Sequence, residues 1–317
     1  MRSVIESHLS GGALDSLASD VRHGLGLPLK EIPPKYFYDA RGSELFEQIT
    51  ALPEYYPTRS ERALLNRHAP EIAELTEAQE LVELGSGTAS KTRALLFAMA
   101  GRGRLRSYVP FDCSETVVRE CVEILDEQFP GISLHGVVGD FESHLEMIPA
   151  GRERLTAFLG GTIGNFYPLE RSMLLDRLSA LGEWLLLGTD LVKDAATIEA
   201  AYNDDAGVTA EFNRNVLHVL NRELDADFDP NAFEHVAFFD IENEWVEMRL
   251  RALSDQSVAI PGAEFQVEIA AREEIRTEIS AKFTLERIDR ELNAAGFRLE
   301  RFFTDGAFGL SLARRRG

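Results

Sequence analysis

Glu80-Leu81-Val82-Glu83-Leu84-Gly85-Ser86-Gly87-Thr88-Ala89-Ser90-Lys91-Thr92 runs from a short apolar stretch into a glycine turn and then into helix-forming residues. The pattern predicts a strand, a tight loop and a helix start. Gly85 and Gly87 let the backbone turn sharply off the strand end and approach a ligand with no Cβ in the way, while the next helix aims free N–H groups at the same place. A nucleotide-like molecule is the usual occupant.

Three ligand classes compete for such a loop. A dinucleotide fingerprint wants a third glycine where this chain has Ser90, and a phosphate-binding P-loop, G-x-x-x-x-G-K-[ST], fails at that same serine. The third class, S-adenosylmethionine (SAM)-dependent methyltransferases with a Rossmann-like sheet, often carries an acid two residues before the first glycine, and Glu83 is that acid. A plain structural turn is the remaining alternative, so the decision rests on the ends of the later strands.

Ser107-Tyr108-Val109-Pro110-Phe111-Asp112 reads as a second strand ending in an acid, 27 residues beyond Gly85. A βαβ unit places a carboxylate there to accept from ribose hydroxyls, although an Asp before Ser114 could equally begin a helix cap. A third strand near Leu134–Val138 runs into Gly139-Asp140-Phe141, an acid and an aromatic that suit the amino group and ring of adenine. Three successive strand ends thus carry Gly85/Gly87, Asp112 and Asp140, and no convincing Walker-B strand accompanies them. The ordering favours a methyltransferase. A fourth strand, Leu155–Leu159, breaks into Gly160-Gly161-Thr162-Ile163-Gly164-Asn165-Phe166-Tyr167-Pro168, a loop expected beside the transferable methyl, where Asn165 can both donate and accept. Trp184–Leu187 makes a fifth strand.

At 317 residues and 44% hydrophobic the chain can bury a large core. No apolar run approaches the ~18 residues of a membrane span and no apolar signal core stands at the N-terminus, so a cytoplasmic protein without a membrane partner is expected. The formal charge of −20 repels phosphate backbones, which argues against nucleic acid. Cys113 and Cys121 form no CxxC pair and the seven histidines show no ligand spacing, so reduced structural thiols and no metal are expected. Arg314-Arg315-Arg316 reads as a solvated tail.

Pro33-Pro34 opens an aromatic segment through Tyr36-Phe37-Tyr38-Asp39 and on to Leu52-Pro53-Glu54-Tyr55-Tyr56-Pro57, which could fill a domain interface or wall a pocket. Thr58-Arg59-Ser60-Glu61 reads as a capping box opening a helix toward Pro70. Residues 193–283 interrupt the alternation of strand and helix. Helix-like stretches 194–203 and 207–224 give way to period-two runs at 245–253 and 275–280, the pattern of an α+β insertion with half-buried strands. Glu278 and Ser280 share one strand face there, and a solvated face is the plain alternative for Glu278. A helix from Thr284 to Gly296 and two closing strands complete a seven-strand sheet. The fold class is therefore α/β, a Rossmann-like class I methyltransferase sheet (61–192 and 284–317) with a second α+β substrate-binding or lid domain (1–60 and 193–283).

The combination closely resembles the histidine-specific Nα-methyltransferases of ergothioneine biosynthesis. The resemblance spans nearly the whole chain, through Tyr-Phe-Tyr-Asp at 36–39, Leu-Pro-Glu-Tyr-Tyr-Pro at 52–57, Glu-Leu-Gly-Ser-Gly-Thr at 83–88, Gly-Gly-Thr-Ile-Gly-Asn-Phe at 160–166 and Glu-Ile-Ser at 278–280. It implies SAM as methyl donor, held by Gly85, Lys91, Asp112, Asp140 and Phe141, and no metal. It implies free L-histidine as substrate, with Asn165 and Tyr202 at the carboxylate and Tyr38 near the amine, so that Tyr38 and Asn165 carry the catalytic positioning. Glu278 and Ser280, with Tyr55 through water, would face the imidazole, and Met248 would line its pocket. The product would be the trimethylated betaine of histidine, hercynine, and a monomer is the expected state. Relatives acting on tryptophan-like substrates share the fold. An N-methyltransferase for another aromatic amine, or a catalytically silent SAM-binding partner subunit, is the alternative.

Overall fold

Helices and strands follow the 3.6- and two-residue apolar periods of the sequence, and the computed structural model describes residues 3–9, 13–141 and 143–316. The glycine pair Gly11-Gly12 lies outside the described residues. In chain order the elements begin with β1 (Val4–Ser7), α1 (Ala13–Leu25), β2 (Lys30–Glu31), α2 (Ala40–Ala51), α3 (Tyr56–Thr76) and β3 (Glu80–Leu84). Then come α4 (Arg93–Gly101), β4 (Ser107–Asp112), α5 (Glu115–Gln128), β5 (Ser133–Val138), β6 (Arg154–Phe158), α6 (Pro168–Leu181) and β7 (Trp184–Asp190). The insertion contributes α7 (Ala195–Tyr202), α8 (Val208–Leu224), β8 (Phe233–Asp240), β9 (Trp245–Ala252), β10 (Gln256–Ile260), β11 (Phe265–Ile269) and β12 (Glu274–Ala281). The chain closes with α9 (Leu285–Ala294), β13 (Phe297–Thr304) and β14 (Phe308–Arg315).

These elements sort into two units, one from the described residues of Met1–Leu9, Pro57–Val192 and Lys282–Gly317, the other from those of Ser10–Tyr56 and Lys193–Ala281. The first unit is built on one sheet in the order β1-β5-β4-β3-β6-β7-β14-β13, parallel from β1 to β7 and antiparallel at β14 and β13. Its middle strands are covered on both faces, with Leu81, Tyr108, Leu155 and Leu186 all buried. From β3 the strand order runs outward to β4 and β5 on one side and to β6 and β7 on the other. The switch point where ligands sit in open α/β sheets therefore falls at the carboxyl ends of β3 and β6.

Several elements depart from the sequence reading. Val4–Ser7, in a stretch assigned to the second domain, pairs with β5 as an eighth strand on the sheet edge. Four residues are too few to show a period. The helix read as starting at a capping box and carrying a further turn through Leu75 begins earlier, at Tyr56, and runs unbroken to Thr76, so Glu61 lies inside it rather than at its cap. Arg314, Arg315 and Arg316 are exposed, as expected of solvated residues, but Arg314 and Arg315 belong to β14 rather than to a tail. Arg314 pairs with Glu183 at 2.5 Å and lies 5.2 Å from the Trp184 ring centroid.

The second unit carries a four-stranded sheet, β2-β12-β9-β8, and a β10-β11 hairpin, packed against α1, α7 and α8, with α2 lying on α8. Its core gathers Phe37, Phe212, Val216, Leu220, Met248, Leu250 and Ile275. The other side of β9 and β12 bears paired charges, with Arg249 on Glu247 and Glu274, and Arg251 on Glu274 and Glu234. That pairing accounts for the alternation in Trp245-Val246-Glu247-Met248-Arg249-Leu250-Arg251. Among the described residues no helix is long and apolar enough to cross a membrane.

Candidate active site

In the first unit, β3 ends in Gly85 (φ 68°) and Gly87 (φ 51°), both left-handed, as a tight turn off a strand requires. The N–H groups of Gly85 and Ser86 donate to the Phe111 carbonyl at 2.8 and 3.1 Å, which binds the loop to the end of β4. Gly87 N–H donates to Asp112 Oδ2 at 3.0 Å, and Ser114 N–H to Asp112 Oδ1 at 3.0 Å. Ser114, not Asp112, caps α5. Burial pushes the Asp112 carboxyl up, against the pull of the Gly87 and Ser114 amides. A carboxylate so placed is an acceptor by nature, the partner a ribose hydroxyl needs.

Phe141 lies over this loop. Its ring stacks on Phe111 at 5.6 Å and 23°, meets Phe158 edge-on at 5.5 Å, and would stand 3.5 Å from a Cβ on Gly85. Asp140 begins the turn after β5, where its N–H donates to His144 Nδ1 at 3.1 Å and its carbonyl accepts from His144 N–H at 2.9 Å. Glycine loop, Asp112, Asp140 and Phe141 are thus brought to adjacent parallel strand ends. A buried Ser86 Oγ without a hydrogen-bond partner adds a polar atom to the loop. The set fits a nucleoside: hydroxyl acceptor, amine acceptor and aromatic cover.

Lys91 and the loop after β6 are joined by a residue the sequence reading missed. Glu61, buried on α3, forms an ion pair with Lys91 Nζ through one oxygen and accepts from Gly160 N–H at 2.7 Å through the other. Gly188 makes room for it, because a Cβ there would stand 2.3 Å from Glu61 Oε1. A glycine inside the apolar run Leu185-Leu186-Leu187-Gly188 was the available signal of a close approach. Gly160 and Gly161 are both left-handed, and the next 3-10 turn, Thr162–Asn165, carries Asn165, half-buried, at its end.

Glu83 is wholly buried behind the loop and accepts from Thr92 Oγ1 and Tyr108 Oη. Burial pushes its carboxyl up to about 7, opposed by those bonds and by Lys91. The raised value means the folded chain holds a proton that the unfolded chain releases near its ordinary 4.5, so stability is expected to fall as pH rises from about 4.5 to 7. The loss is on the order of 2–3 kcal/mol. Urea unfolding of the wild type and Glu83→Gln across that window checks this. The variant should show a flatter profile, and parallel profiles would refute the assignment.

In the second unit, the Tyr36-Phe37-Tyr38-Asp39 motif divides its labour. Phe37 is buried in the core, and Asp39 caps α2 by accepting from Gly42 N–H at 2.8 Å while also accepting from Asn215 Nδ2 at 2.7 Å. Held on both sides, Tyr38 is 37% exposed, its ring edge-on to Phe46 and Phe212 at 5.6 Å each. Tyr55 packs on the same Phe46 at 6.1 Å.

Tyr202, at the end of α7, shares a 2.8 Å hydrogen bond with Ser280 Oγ, both side chains being buried. On the sheet, Glu278 stands opposite Met248 and Ser280 opposite Val246. Directly opposed residues project to one side, so Val246, Met248, Glu278 and Ser280 share a face. The register shifts between Arg276 and Glu278, an irregularity that puts Ile275 and Glu278 on the same side although they are three residues apart. Without it Glu278 would join the charged face. Tyr202, Met248, Glu278 and Ser280 are therefore brought together, as are Tyr38 and Tyr55 around Phe46.

The strand order, the glycine loop at the switch point and the acids on the adjacent strand ends define an SAM-dependent methyltransferase. Among the described residues no group of three or more His, Cys, Asp or Glu could hold a metal ion. The chain belongs to the family described as "Histidine-specific methyltransferase, SAM-dependent", whose profile matches residues 17–315. It is 49% identical to the histidine N-alpha-methyltransferase of Mycobacterium tuberculosis over 99% of this chain and 100% of that one. It is 51% identical to the protein of that name in Mycolicibacterium smegmatis, over 96% of each chain. Ergothioneine biosynthesis protein 1 of Neurospora crassa is 33% identical over 61% of this chain and 23% of its own length.

Proposed function

We propose that the protein transfers methyl groups from SAM to the α-amino nitrogen of free L-histidine, three in succession, giving hercynine in the first step of ergothioneine biosynthesis. The observation that carries the substrate is the pairing of Glu278 with Met248 and of Ser280 with Tyr202 on one face of the second unit. An acid and a hydroxyl beside an apolar wall suit an imidazole, with its N–H groups and flat carbon edge.

SAM, when bound, supplies a methyl carbon activated by its sulfonium. Asp112 would accept from the ribose hydroxyls, Asp140 from the adenine amine, with Phe141 over the ring and Lys91 toward the methionyl carboxylate. Asn165 and Tyr202 would hold the histidine carboxylate, Glu278 and Ser280 the imidazole, and Tyr55 would reach the imidazole through water. Displacement at a sulfonium needs little acid or base chemistry, so the protein contributes orientation and exclusion of water. The amine attacks only when neutral, so before each transfer a proton would pass to water or a nearby polar group. Tyr38 and the Asn165 loop would turn the lone pair toward the methyl group, and S-adenosylhomocysteine would leave as the S–C bond breaks. The third product has no lone pair left, which ends the sequence.

Incubation with SAM and a panel of free amino acids, read by mass spectrometry, tests the proposal. Histidine should gain three methyl groups, whereas preferred methylation of tryptophan or of none would overturn it. Tyr38→Phe keeps the ring between Phe46 and Phe212 and removes only the hydroxyl. It should slow one or more methylation steps or change the final extent, and an unchanged time course for all three would remove Tyr38 from the amine.

A further inference from the structure

On the side of the sheet that bears Glu278, a chain of polar groups runs from β12 through α8 to the end of α7. Asn213, fully buried on α8, donates through Nδ2 to the Arg249 carbonyl at 3.0 Å and to His235 Nδ1 at 2.8 Å. Its Oδ1 accepts from Thr277 Oγ1 at 2.6 Å, and the same hydroxyl lies 3.0 Å from the Met248 carbonyl. Because Nδ1 of His235 accepts, its Nε2–H is the donor to the Tyr202 carbonyl at 2.9 Å. The neutral tautomer is thus fixed at both ends.

The chain touches the irregularity in β12 at Thr277, the residue left between Arg276 and Glu278 when the register shifts, and it touches the backbone of Tyr202. An extra residue in a strand costs ladder bonds, so a strand keeps it only where something else holds it. Here the holding groups are a buried amide and a buried hydroxyl on α8 and β12. We propose that Asn213, Thr277 and His235 are positioning residues for the substrate: they lock the bulge that turns Glu278 and Ser280 onto the Met248 face and fix Tyr202 beside Ser280. The proposal rests on the reading of these four residues as the histidine site.

Thr277→Val keeps the β-branched shape that suits the strand and removes the hydroxyl, leaving Asn213 Oδ1 unpaired, while Thr277→Ser keeps the hydroxyl. With Thr277→Val, KM for histidine should rise about tenfold or more, KM for SAM should stay unchanged, and Thr277→Ser should restore the wild-type value. Hydrogen exchange at the amides of residues 276–280, measured without substrate, should quicken in Thr277→Val and not in Thr277→Ser. Equal exchange in the wild type and both variants would overturn the lock. Quickened exchange with unmoved histidine KM would overturn the link to substrate, while the placement of histidine on Glu278 is tested separately by Glu278→Ala. A rise in both KM values together would mark general loosening and would also overturn the proposal.

Discussion

Glu278→Ala should raise KM for histidine about ten- to a hundredfold, the equivalent of a charge-assisted hydrogen bond of ~1.5–3 kcal/mol. The carboxylate is half-buried on β12 opposite Met248, itself 2% exposed, so little water stands ready to replace the lost contact on that side. KM for SAM should hardly move, because the glycine loop, Asp112 and Asp140 belong to the other unit. Glu278→Gln keeps an acceptor without the charge and should fall between the two. Steady-state kinetics with each substrate varied in turn reads these outcomes. Histidine kinetics untouched by the alanine substitution would withdraw the imidazole contact and reopen the choice of substrate.

The second large effect is expected from Glu61→Ala. Glu61 answers the charge of Lys91, accepts the Gly160 amide and fills the space beside Gly188, and truncation undoes all three. Removing one member of a buried ion pair costs about 3–5 kcal/mol, and the quarter exposure of Lys91 lets water recover part of it, so about 3 kcal/mol is expected. SAM affinity should fall with it, because Lys91 and the Gly160 turn lose their common anchor. Glu61→Gln separates the contributions: it retains an acceptor for Gly160 and should keep more stability, while Lys91 loses its counter-charge. Thermal unfolding and titration with S-adenosylhomocysteine measure both. If Glu61→Ala melted with the wild type and bound as tightly, Glu61 would be a bystander.

What the sequence disclosed, and what it concealed, reflects the range of each interaction. Gly85, Gly87, Asp112 and Asp140 were legible because strand, turn and helix repeat locally, and a parallel sheet places each strand end beside the last. Trp245–Ala252 and Glu274–Ala281 were legible only as alternation, without their pairing partners, and Phe233–Asp240 and the β10-β11 hairpin were not singled out. Glu61 was misread, because a Thr-x-x-Glu pattern signals a cap locally while its contacts lie 30 and 99 residues away. The bulge at Thr277 left no mark in the period, since Ile275-Arg276-Thr277-Glu278-Ile279-Ser280 alternates plausibly with or without it. Only the register against β9 reveals which side Glu278 takes.

The placing of β14 has a consequence for how the chain matures. Leu185, Leu186 and Leu187 on β7 find their outer neighbour in Ala313, Leu312 and Ser311, and the whole of Lys193–Ala281 is synthesised in between. Until the last strand leaves the ribosome, β7 is a bare, oily border with unanswered amides, the kind of ledge on which nascent chains stick to one another. The two ends of the intervening stretch are meanwhile stitched together, Val192 N–H to the Phe283 carbonyl at 2.9 Å and Phe283 N–H to the Asp190 carbonyl at 2.9 Å. Ends joined in this way leave only a short span of chain between β7 and the late hairpin that must find it, which lowers the entropy of closing that gap.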